Sequence, residues 1–376
     1  MSYAVGLMSG TSLDGVDAAL VEINGLNEET IVELIDFNMM PFTKDTVRRI
    51  QNEISIEKSS VAAICSLNFE LGYLFSEAAK LVCKKANFPI EKLDFIASHG
   101  QTLYHLPVGE KDKYASTFQI GEPAVLCEEL KTTVVSNFRP RDMVLEGQGA
   151  PIVPYQDYIL YRNTERKRML QNIGGIGNVT IIPKNAELND VLAFDTGPGN
   201  MVIDELCRIF YQIEYDENGE YASLGNVNQA LLKEMMSHPY IIKDFPKTTG
   251  REEFGKEYVQ NLVSLWQVQP NDFIATATMF TAKSIAESIK PFIEKDTDLI
   301  IGGGGSYNHT LISMLKNQLP NVNIMVQEEM GFSSEAKEAI AMTILANQTI
   351  HHLPSNVPNA TGARKETILG NVTYYD

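Results

Sequence analysis

The chain carries the same arrangement in each of its two halves: a short apolar strand, a glycine-bearing turn and a second apolar strand. The runs 3–9 and 16–23 flank one such turn, and the runs 169–173 and 179–182 flank the other. Apolar runs joined by a tight Gly or Asp turn predict β-hairpins. No short-period repeat accompanies them, so two related domains are favoured over a solenoid. A length of 376 residues is sufficient for two hydrophobic cores.

Further strands and helices follow from the spacing of apolar residues. Apolar positions recur every three or four residues where helices are predicted, over 61–82, 200–210, 272–292 and 334–348. The last of these begins with Ser334 and an early Glu335, which is typical of a capped helix start. Short apolar strands are predicted over 93–97, 132–135, 191–194 and 298–301. Polar residues follow several of these strands, and ligands in open α/β sheets bind beyond the carboxyl ends of strands.

Composition excludes several classes of function. A net charge of −17 opposes nucleic-acid binding, which depends on clustered Lys and Arg. No run approaches the roughly 20 apolar residues of a membrane helix. The first residues lack the basic segment of an export signal, and the four cysteines form no C-x-x-C pair. We therefore expect a cytoplasmic protein without a membrane or nucleic-acid partner.

Four glycine-rich turns follow predicted strands, over 9–15, 174–177, 195–199 and 302–305. Glycine lets backbone N–H groups approach a phosphate closely. One such turn is usually a structural hairpin, but four of them favour a shared phosphate site. The P-loop pattern, a dinucleotide-binding G-x-G-x-x-G turn and the protein-kinase signatures are absent from the sequence.

The chain resembles the anhydro-N-acetylmuramic acid kinases, in sequence blocks that span nearly its whole length. The opening block is GLMSGTSLDGVD at 6–17, and the later blocks are SHGQT at 98–102, NFR at 137–139, GQGAP at 147–151, NIGGIGN at 172–178, FDTGPGN at 194–200, GGGGS at 302–306, SEA at 334–336 and TGA at 361–363. Two positions depart from the family pattern. Glu146 stands where a first glycine is expected, and Gly177 where alanine is frequent.

The resemblance implies an α/β fold with two actin/hexokinase-like (ribonuclease H-like) domains and a nucleotide cleft between them. We expect domain I over 1–130 plus 350–376 and domain II over 131–349. The implied reaction is ATP-dependent phosphorylation of 1,6-anhydro-N-acetylmuramic acid at O6 with hydrolysis of the anhydro bond, in peptidoglycan recycling and amino-sugar metabolism. Members of the family are commonly dimers, so a homodimer is compatible with the resemblance.

The resemblance also implies catalytic residues. Asp195 precedes a glycine turn at a predicted strand end and is expected to act as the general base. The alternative is that Asp195 caps the helix near Asn200. Glu335 is expected to contact the sugar and help to place the water, and its alternative role is to complement the positive end of a helix.

ATP and Mg²⁺ are the implied cofactors, bound mainly by the glycine turns. Asp14 is the expected Mg²⁺ residue, acting through water, although a turn aspartate can instead bond its own backbone. The residues expected to bind the nucleotide are Gly10, Thr11, Ser12, Leu13, Asp14, Gly15, Val16, Asp17, Gly174, Gly175, Gly197, Gly199, Gly302, Gly303 and Gly304.

The sugar is expected to contact polar residues at strand ends, with Arg139 pairing with the lactyl carboxylate. The expected set is Ser9, His99, Gln101, Asn137, Arg139, Asp195 and Glu335. Taken alone, a single His such as His99 is more often structural than a ligand. The rival function is an actin-like or chaperone-like ATPase whose turnover drives assembly or partner binding. The polar strand ends beyond the phosphate turns favour the kinase, because a small polar ligand needs them.

Overall fold

A computed structural model describes residues 1–10, 12–243, 247 and 249–376, without the side chains at 251 and 252. The chain divides into two compact units. The first comprises Met1–Leu160 and Glu335–Asp376, and the second comprises Tyr161–Ser334.

The described part of the chain contains twelve strands and fourteen α-helices. The strands are β1 (Ser2–Ser9), β2 (Gly15–Asn24), β3 (Ile31–Pro41), β4 (Phe95–Leu106), β5 (Ser116–Ile120), β6 (Val134–Ser136), β7 (Lys167–Ile173), β8 (Ile176–Ile182), β9 (Leu192–Pro198), β10 (Thr297–Gly302), β11 (Asn323–Val326) and β12 (Asn371–Thr373). The α-helices are α1 (Lys44–Ile54), α2 (Val61–Lys85), α3 (Pro123–Leu130), α4 (Pro140–Val144), α5 (Pro154–Tyr161), α6 (Met201–Tyr211), α7 (Glu220–Leu224), α8 (Gln229–Met236), α9 (Arg251–Phe254), α10 (Lys256–Leu265), α11 (Pro270–Ile289), α12 (His309–Gln318), α13 (Lys337–Ile350) and α14 (Pro358–Thr361).

The sheet of the first unit is a three-stranded antiparallel meander extended by parallel strands. Strand β2 lies between β1 and β3 and is antiparallel to both. Strand β4 is parallel to β1, and β6 is parallel to β4. The central order is therefore β3-β2-β1-β4-β6, and β5 and β12 pair with β4 and β6.

The sheet of the second unit repeats this topology. Strands β7, β8 and β9 form the antiparallel meander, and β10 and β11 extend it in parallel on the side of β7. The order β9-β8-β7-β10-β11 corresponds strand for strand to that of the first unit. The two units thus share the ribonuclease H-like arrangement, and the predicted α/β fold class is confirmed.

Most predicted elements lie close to their expected positions. Both hairpins are present, and the helix predicted over 61–82 is α2, whose first turn is capped by the Ser60 hydroxyl accepting a bond from the amide of Ala63. The apolar face of α2 packs with Val5, Leu7 and Ile96 in the core of the first unit. Local periodicity was sufficient for these elements because each has one strongly apolar face.

The boundaries of the units differ from the predicted domain limits of 1–130 plus 350–376 and 131–349. Residues 131–160 belong to the first unit, where β6 pairs with both β4 and β12. Residues 335–349 also belong to it, because α13 packs on β1, β2 and β4. Sheet pairing and helix packing join segments that are distant in sequence, so the limits were not visible locally.

The helix predicted from Ser334 starts later than expected. Helix α13 begins at Lys337, with Ala336 at its N-cap and no side-chain cap. The amide of Ser334 instead donates to a carboxylate oxygen of Glu328, 3.2 Å away. Glu335 therefore precedes the helix and does not lie in its first turn.

None of the helices in the described part of the chain is long and apolar enough to cross a membrane.

Strand β1 and helix α13 approach each other so closely that their contact has no room for a side chain at Gly6. A Cβ added there would lie 1.9 Å from the carbonyl oxygen of Ala339. This atom belongs to the backbone of a packed helix and cannot move aside cheaply.

We predict that Gly6→Ala lowers the free energy of unfolding by about 3 kcal/mol or more, since the strand must separate from α13. Denaturant titration monitored by circular dichroism measures the change. Gly10→Ala is the control, because its Cβ would have no neighbour closer than Ser12 Oγ at 3.7 Å. Equal unfolding midpoints for the two variants would contradict the close contact.

Candidate active site

The turn of the first hairpin is attached to β4 by one glutamine. The hydroxyl oxygen of Ser9 lies 2.7 Å from Gln101 Oε1 and 3.0 Å from the carbonyl oxygen of Gly15. Gln101 Nε2 donates to the carbonyl oxygen of Gly10 at 3.3 Å. Ser9 and Gln101 are almost wholly buried. In the structure their primary role is thus to fix the turn.

The residues of this turn differ in what they can offer to a ligand. Leu13 and Val16 belong to the hydrophobic core, so only their backbone could face a nucleotide. A Cβ at Gly15 would lie 2.2 Å from the carbonyl oxygen of Met40, which gives this glycine a packing role. Ser12 and Asp14 are exposed, and Thr11 lies outside the described residues.

His99 and Arg139 form a pair at the ends of β4 and β6. His99 Nδ1 lies 2.8 Å from the carbonyl oxygen of Gly100, and Arg139 Nε donates to His99 Nε2 at 2.9 Å. Burial, with the Arg139 charge, lowers the pKa of His99 to about 3, so the imidazole is neutral at physiological pH. Burial lowers the pKa of Arg139 to about 10, and the guanidinium keeps its charge at pH 7. The pair therefore presents one fixed positive charge.

Asn137, the remaining predicted sugar residue of this region, directly follows β6. Its φ is +59°, in the left-handed region that asparagine tolerates better than most residues. It borders the same cavity as His99.

The buried carboxylate of Asp142 holds Arg139 in place through the backbone of Gly149. Arg139 Nη1 donates to the carbonyl oxygen of Gly149, and the amide of Gly149 donates to Asp142 Oδ2 at 2.9 Å. Asp142 Oδ1 accepts bonds from Asn356 Nδ2 and from the hydroxyl of Thr361, at 2.9 and 2.7 Å. Asp142 is 0% exposed. One side chain thus connects three separate segments to the arginine.

Four carboxylates of the first unit interact electrostatically: Asp14, Asp17, Glu335 and Glu338. The pKa of Asp17 is raised to about 6, first by desolvation and then by the charges of Glu338, Asp14 and Glu335 in that order. Desolvation also raises the pKa of Glu338, against the charges of Arg139 and Lys337. This concentration of negative charge favours a bound cation.

The donor set suits magnesium. Mg²⁺ binds carboxylate oxygens and retains several waters, so it does not need a cage of protein ligands. No group of three or more His, Cys, Asp or Glu with metal-ligand geometry occurs among the residues described. Exposed Asp14 and partly exposed Asp17 therefore fit a metal held through water and phosphate oxygens.

In the second unit the predicted glycine turns lie together. The amides of Gly199 and Asn200 donate to the carbonyl oxygens of Gly175 and Gly174, at 2.9 and 2.7 Å. A Cβ at Gly199 would lie 2.1 Å from the carbonyl oxygen of Gly174. The end of β9 and the β7–β8 turn are thus in backbone contact.

The third turn of this unit packs against the same place. At Gly303, with φ of +80°, an added Cβ would lie 2.5 Å from Asn172 Oδ1 and 2.9 Å from the carbonyl oxygen of Ile173. Gly302, directly before it, has Gln327 Oε1 within 2.5 Å of its Cβ position, and the nearest atom to that of Gly304 is Asn200 Nδ2 at 3.7 Å. Residues distant in sequence therefore form one glycine-lined surface.

Asp195 is held by a segment that the sequence analysis did not identify. The amide of Thr249 donates to Asp195 Oδ2 at 2.9 Å, and the hydroxyl of Tyr240 donates to the Asp195 carbonyl oxygen at 2.8 Å. The Asp195 amide donates to the carbonyl oxygen of Lys247 at 3.0 Å. Burial, with the nearby Asp195 charge, raises the pKa of Tyr240, which therefore remains a donor. Both the backbone and the carboxylate of Asp195 are thereby positioned.

Asp195 was predicted to end a strand, but it lies inside β9, which continues to Pro198. The pairing of β9 with β8 shifts register here: Gly177 pairs with Gly197, and Asn178 pairs with Asp195. Thr196 is therefore the extra residue of a bulge, a feature that re-aims neighbouring side chains. An alanine Cβ at 177 would lie 2.8 Å from Thr196 Oγ1, so Gly177 leaves room for the bulged residue.

The helix-cap alternative for Asp195 finds no support. Helix α6 has Asn200 at its N-cap without a side-chain cap, and the amides of Gly199, Asn200 and Met201 donate to the carbonyl oxygens of Gly174 and Gly175. Carbonyl oxygens of the β7–β8 turn thus accept the hydrogen bonds of the amides at the start of this helix.

Sequence reasoning missed Asp142, Glu338 and the segment around Tyr240 and Thr249. The only local signals were an acid in the run FRPRD and the polar, glycine-bearing run KTTGR. Glu146, one of the two departures from the family pattern, has φ of +69°, which explains why glycine is expected there.

Comparison with known proteins identifies the relatives of this chain. The family model for anhydro-N-acetylmuramic acid kinase matches residues 2–375. Proteins named anhydro-N-acetylmuramic acid kinase from Bacillus cereus (strain ZK / E33L) and Bacillus thuringiensis subsp. konkukian (strain 97-27) are each 54% identical, over 99% of this chain and 99% of theirs. The same name belongs to a Bacillus anthracis protein that is 53% identical over 99% of both chains.

Two solved structures are similar at low sequence identity. One is the activator of the 2-hydroxyisocaproyl-CoA dehydratase from Clostridium difficile with bound ADPNP, at 12% identity and a TM-score of 0.47 over 92% of this chain and 94% of that one. The other is the ROK hexokinase from Thermus thermophilus, at 12% identity and a TM-score of 0.36 over 91% and 99%.

The raised pKa of Asp17 predicts a pH-dependent effect of Asp17→Asn. The folded pKa of about 6 lies above the ordinary 3.8, so wild type loses stability as pH rises through this range. Asparagine cannot ionise, so the variant should be more stable by about 1 kcal/mol above pH 6, after discounting for solvent screening, and equal to wild type below pH 4. Unfolding titrations from pH 4 to 8 measure the difference.

Exposed Asp112→Asn is the matched control and should show no such trend. A constant difference between Asp17→Asn and wild type over the whole range would contradict the shifted pKa.

Proposed function

Because the chain belongs to the anhydro-N-acetylmuramic acid kinase family, we propose that it phosphorylates 1,6-anhydro-N-acetylmuramic acid with ATP while opening the anhydro bond. The observation that carries the proposal is the 54% identity to proteins of that name over 99% of both chains. The product is N-acetylmuramic acid 6-phosphate, and the role is peptidoglycan recycling. ATP as phosphoryl donor implies a cytoplasmic reaction.

Ring opening and phosphoryl transfer form one balanced step. A water oxygen attacks C1 of the sugar and gives its proton to the carboxylate of Asp195. The C1–O6 bond breaks, O6 forms a bond to the γ-phosphorus of ATP, and the bond to the β,γ-bridging oxygen breaks to release ADP. The proton on Asp195 then returns to solvent.

The surroundings of Asp195 suit a general base. The carboxylate must point at the water in a fixed direction, since a base acts only within hydrogen-bond reach. The bond from the Thr249 amide fixes Oδ2, and Tyr240 fixes the backbone at the bulge. Glu335, exposed before α13, is the second carboxylate that we assign to the sugar and the water.

Sugar recognition is assigned to the strand ends of the first unit. The fixed charge of Arg139 pairs with the lactyl carboxylate of the sugar, because a guanidinium matches carboxylate geometry. Its Nε and Nη1 donors are bonded to His99 and Gly149, so its direction is set before substrate arrives. Asn137 is assigned to the neutral groups of the sugar.

Phosphate binding is assigned to the glycine turns: residues 9–15 and 174–199 for the phosphates, and 298–306 for adenosine. Glycine has no side chain, so phosphate oxygens can approach the backbone of these turns closely. Asp14, with Asp17 beside it, would hold Mg²⁺. Bound Mg²⁺ neutralises charge that develops on the transferred phosphoryl group.

Release of ADP tests the activity directly. With Mg-ATP, we expect ADP formation to depend strongly on 1,6-anhydro-N-acetylmuramic acid and to be near background with N-acetylmuramic acid, N-acetylglucosamine, glucose or no sugar. Equal turnover without sugar, or concentration-dependent filaments, would contradict the kinase and favour the ATPase alternative.

Replacement of the base tests the mechanism. We predict that Asp195→Asn lowers kcat by at least about a thousandfold and leaves ATP binding near normal, because the amide cannot accept the proton. Steady-state kinetics and nucleotide titration measure the two quantities. Asp296→Asn, at an exposed acid of the same unit, is the control and should retain activity. Unchanged turnover in Asp195→Asn would remove Asp195 from the mechanism.

A further inference from the structure

The general base assigned to this chain lies on an edge strand, and residues outside the sheet bond to it there. Strand β9 is at the edge of its five-stranded sheet, beside β8. The Asp195 amide donates to the carbonyl oxygen of Lys247 at 3.0 Å, and the Asp195 carbonyl oxygen accepts from the Tyr240 hydroxyl at 2.8 Å. The Thr249 amide donates to Asp195 Oδ2 at 2.9 Å. Tyr240, Lys247 and Thr249 therefore surround Asp195, and we call these three residues the clasp.

The side chain of Lys247 connects the two ends of the clasp. Its Nζ donates to the carbonyl oxygen of Ile241 at 3.2 Å, and it lies over the ring of Tyr240, 5.0 Å from the ring centroid. A cation within about 6 Å of an aromatic centroid is attracted to the face of the ring. The ammonium thus joins the residue that bonds to the Asp195 amide to the residue that bonds to the Asp195 carbonyl oxygen.

Burial of this ammonium indicates a role beyond filling space. Lys247 is 5% exposed, and a buried charge costs free energy that an apolar side chain would not. The ring that it contacts is also fixed, because Tyr240 belongs to the core of the second unit and packs edge-on against Phe254, with ring centroids 5.6 Å apart. The charge therefore attaches Lys247 to a rigid part of the unit.

The sheet alone does not fix the direction of the Asp195 carboxylate. Thr196, the next residue, is the extra residue of a bulge, so the ladder between β9 and β8 is interrupted there. Without the ammonium, the backbone at Lys247 can shift relative to Tyr240. The Thr249 amide, two residues further along the chain, would then shift with it and lose its bond to Asp195 Oδ2.

We propose that Lys247 is a positioning residue for the general base: its ammonium holds the clasp closed and thereby fixes the direction of the Asp195 carboxylate. The role rests on the proposed function, in which Asp195 takes a proton from the attacking water. Lys247 acts through Asp195 and takes no part in the proton transfer.

Replacement of Lys247 by methionine tests this role, because methionine is unbranched, fits buried positions and carries no charge. We expect kcat for sugar-dependent ADP release to fall about ten- to a hundredfold, since a small displacement of a catalytic group has an effect of this size. The KM values for ATP and for 1,6-anhydro-N-acetylmuramic acid should stay within about twofold of wild type, because the clasp orients the base and does not bind the substrates. Steady-state kinetics measure both quantities.

Two further variants separate this role from a general loss of charge or structure. Lys243→Met, at an exposed lysine of the same region, is the matched control and should retain the wild-type kcat. Tyr240→Phe keeps the ring beneath the ammonium and removes the bond to the Asp195 carbonyl oxygen. If the two residues act through one clasp, Tyr240→Phe and Lys247→Met combined should lower kcat by less than the product of their separate effects.

Hydrogen exchange followed by mass spectrometry tests the clasp independently of turnover. In Lys247→Met, the amides of Asp195 and Thr249 should exchange at least about tenfold faster than in wild type, because their bonds open locally. The amides of the buried strand β10 should keep their protection, which excludes global destabilisation as the cause.

Unchanged kcat and unchanged exchange in Lys247→Met would overturn the proposal. Loss of ATP binding in parallel with turnover would also overturn it, because Lys247 would then serve the nucleotide. Absence of sugar-dependent ADP release by the wild type would instead contradict the kinase activity itself, and this result is distinct from an active wild type with an unaffected variant.

Discussion

The ligand-binding edge of the first unit depends on one buried carboxylate. Asp142 is fully buried and accepts hydrogen bonds from Gly149, Asn356 and Thr361. Burial of a charge is costly unless hydrogen bonds compensate for it, so these donors are required for the fold as well as for the site. Through Gly149 the network reaches Arg139, whose Nε donates to the buried, neutral imidazole of His99. The positive charge that we assign to the sugar therefore has a fixed direction.

The second unit reaches the same kind of preorganisation by backbone packing. Its topology repeats that of the first unit, but its strand ends are joined by glycines whose Cβ positions are filled by neighbouring backbone atoms. Gly199 lies against Gly174, and Gly303 lies against Ile173. Any side chain at these places would separate the turns. A site for phosphates benefits from this arrangement because backbone without side chains allows a phosphate to approach closely.

Much of the fold was predictable, because hairpins and amphipathic helices follow from local patterns. The predictions for β1, β2 and α2 needed only apolar spacing and turn residues. For Asp195 and Glu335 the predicted local structure was wrong in detail. Asp195 lies at a bulge inside β9, and Glu335 precedes α13. Bulges and exact helix starts are set by partners far away in the chain, which a local pattern does not contain.

The sequence alone determined the α/β class, the repeated hairpin units, the family and the glycine turns, since each of these is written in short contiguous runs. Tertiary structure alone decided the limits of the two units, the network around Asp142, and the attachment of Asp195 to Tyr240 and Thr249. The physical reason is the same in each case. Hydrogen bonds and burial depend on which groups are in contact in the folded chain. Those contacts are set by the packing of segments that are distant in sequence.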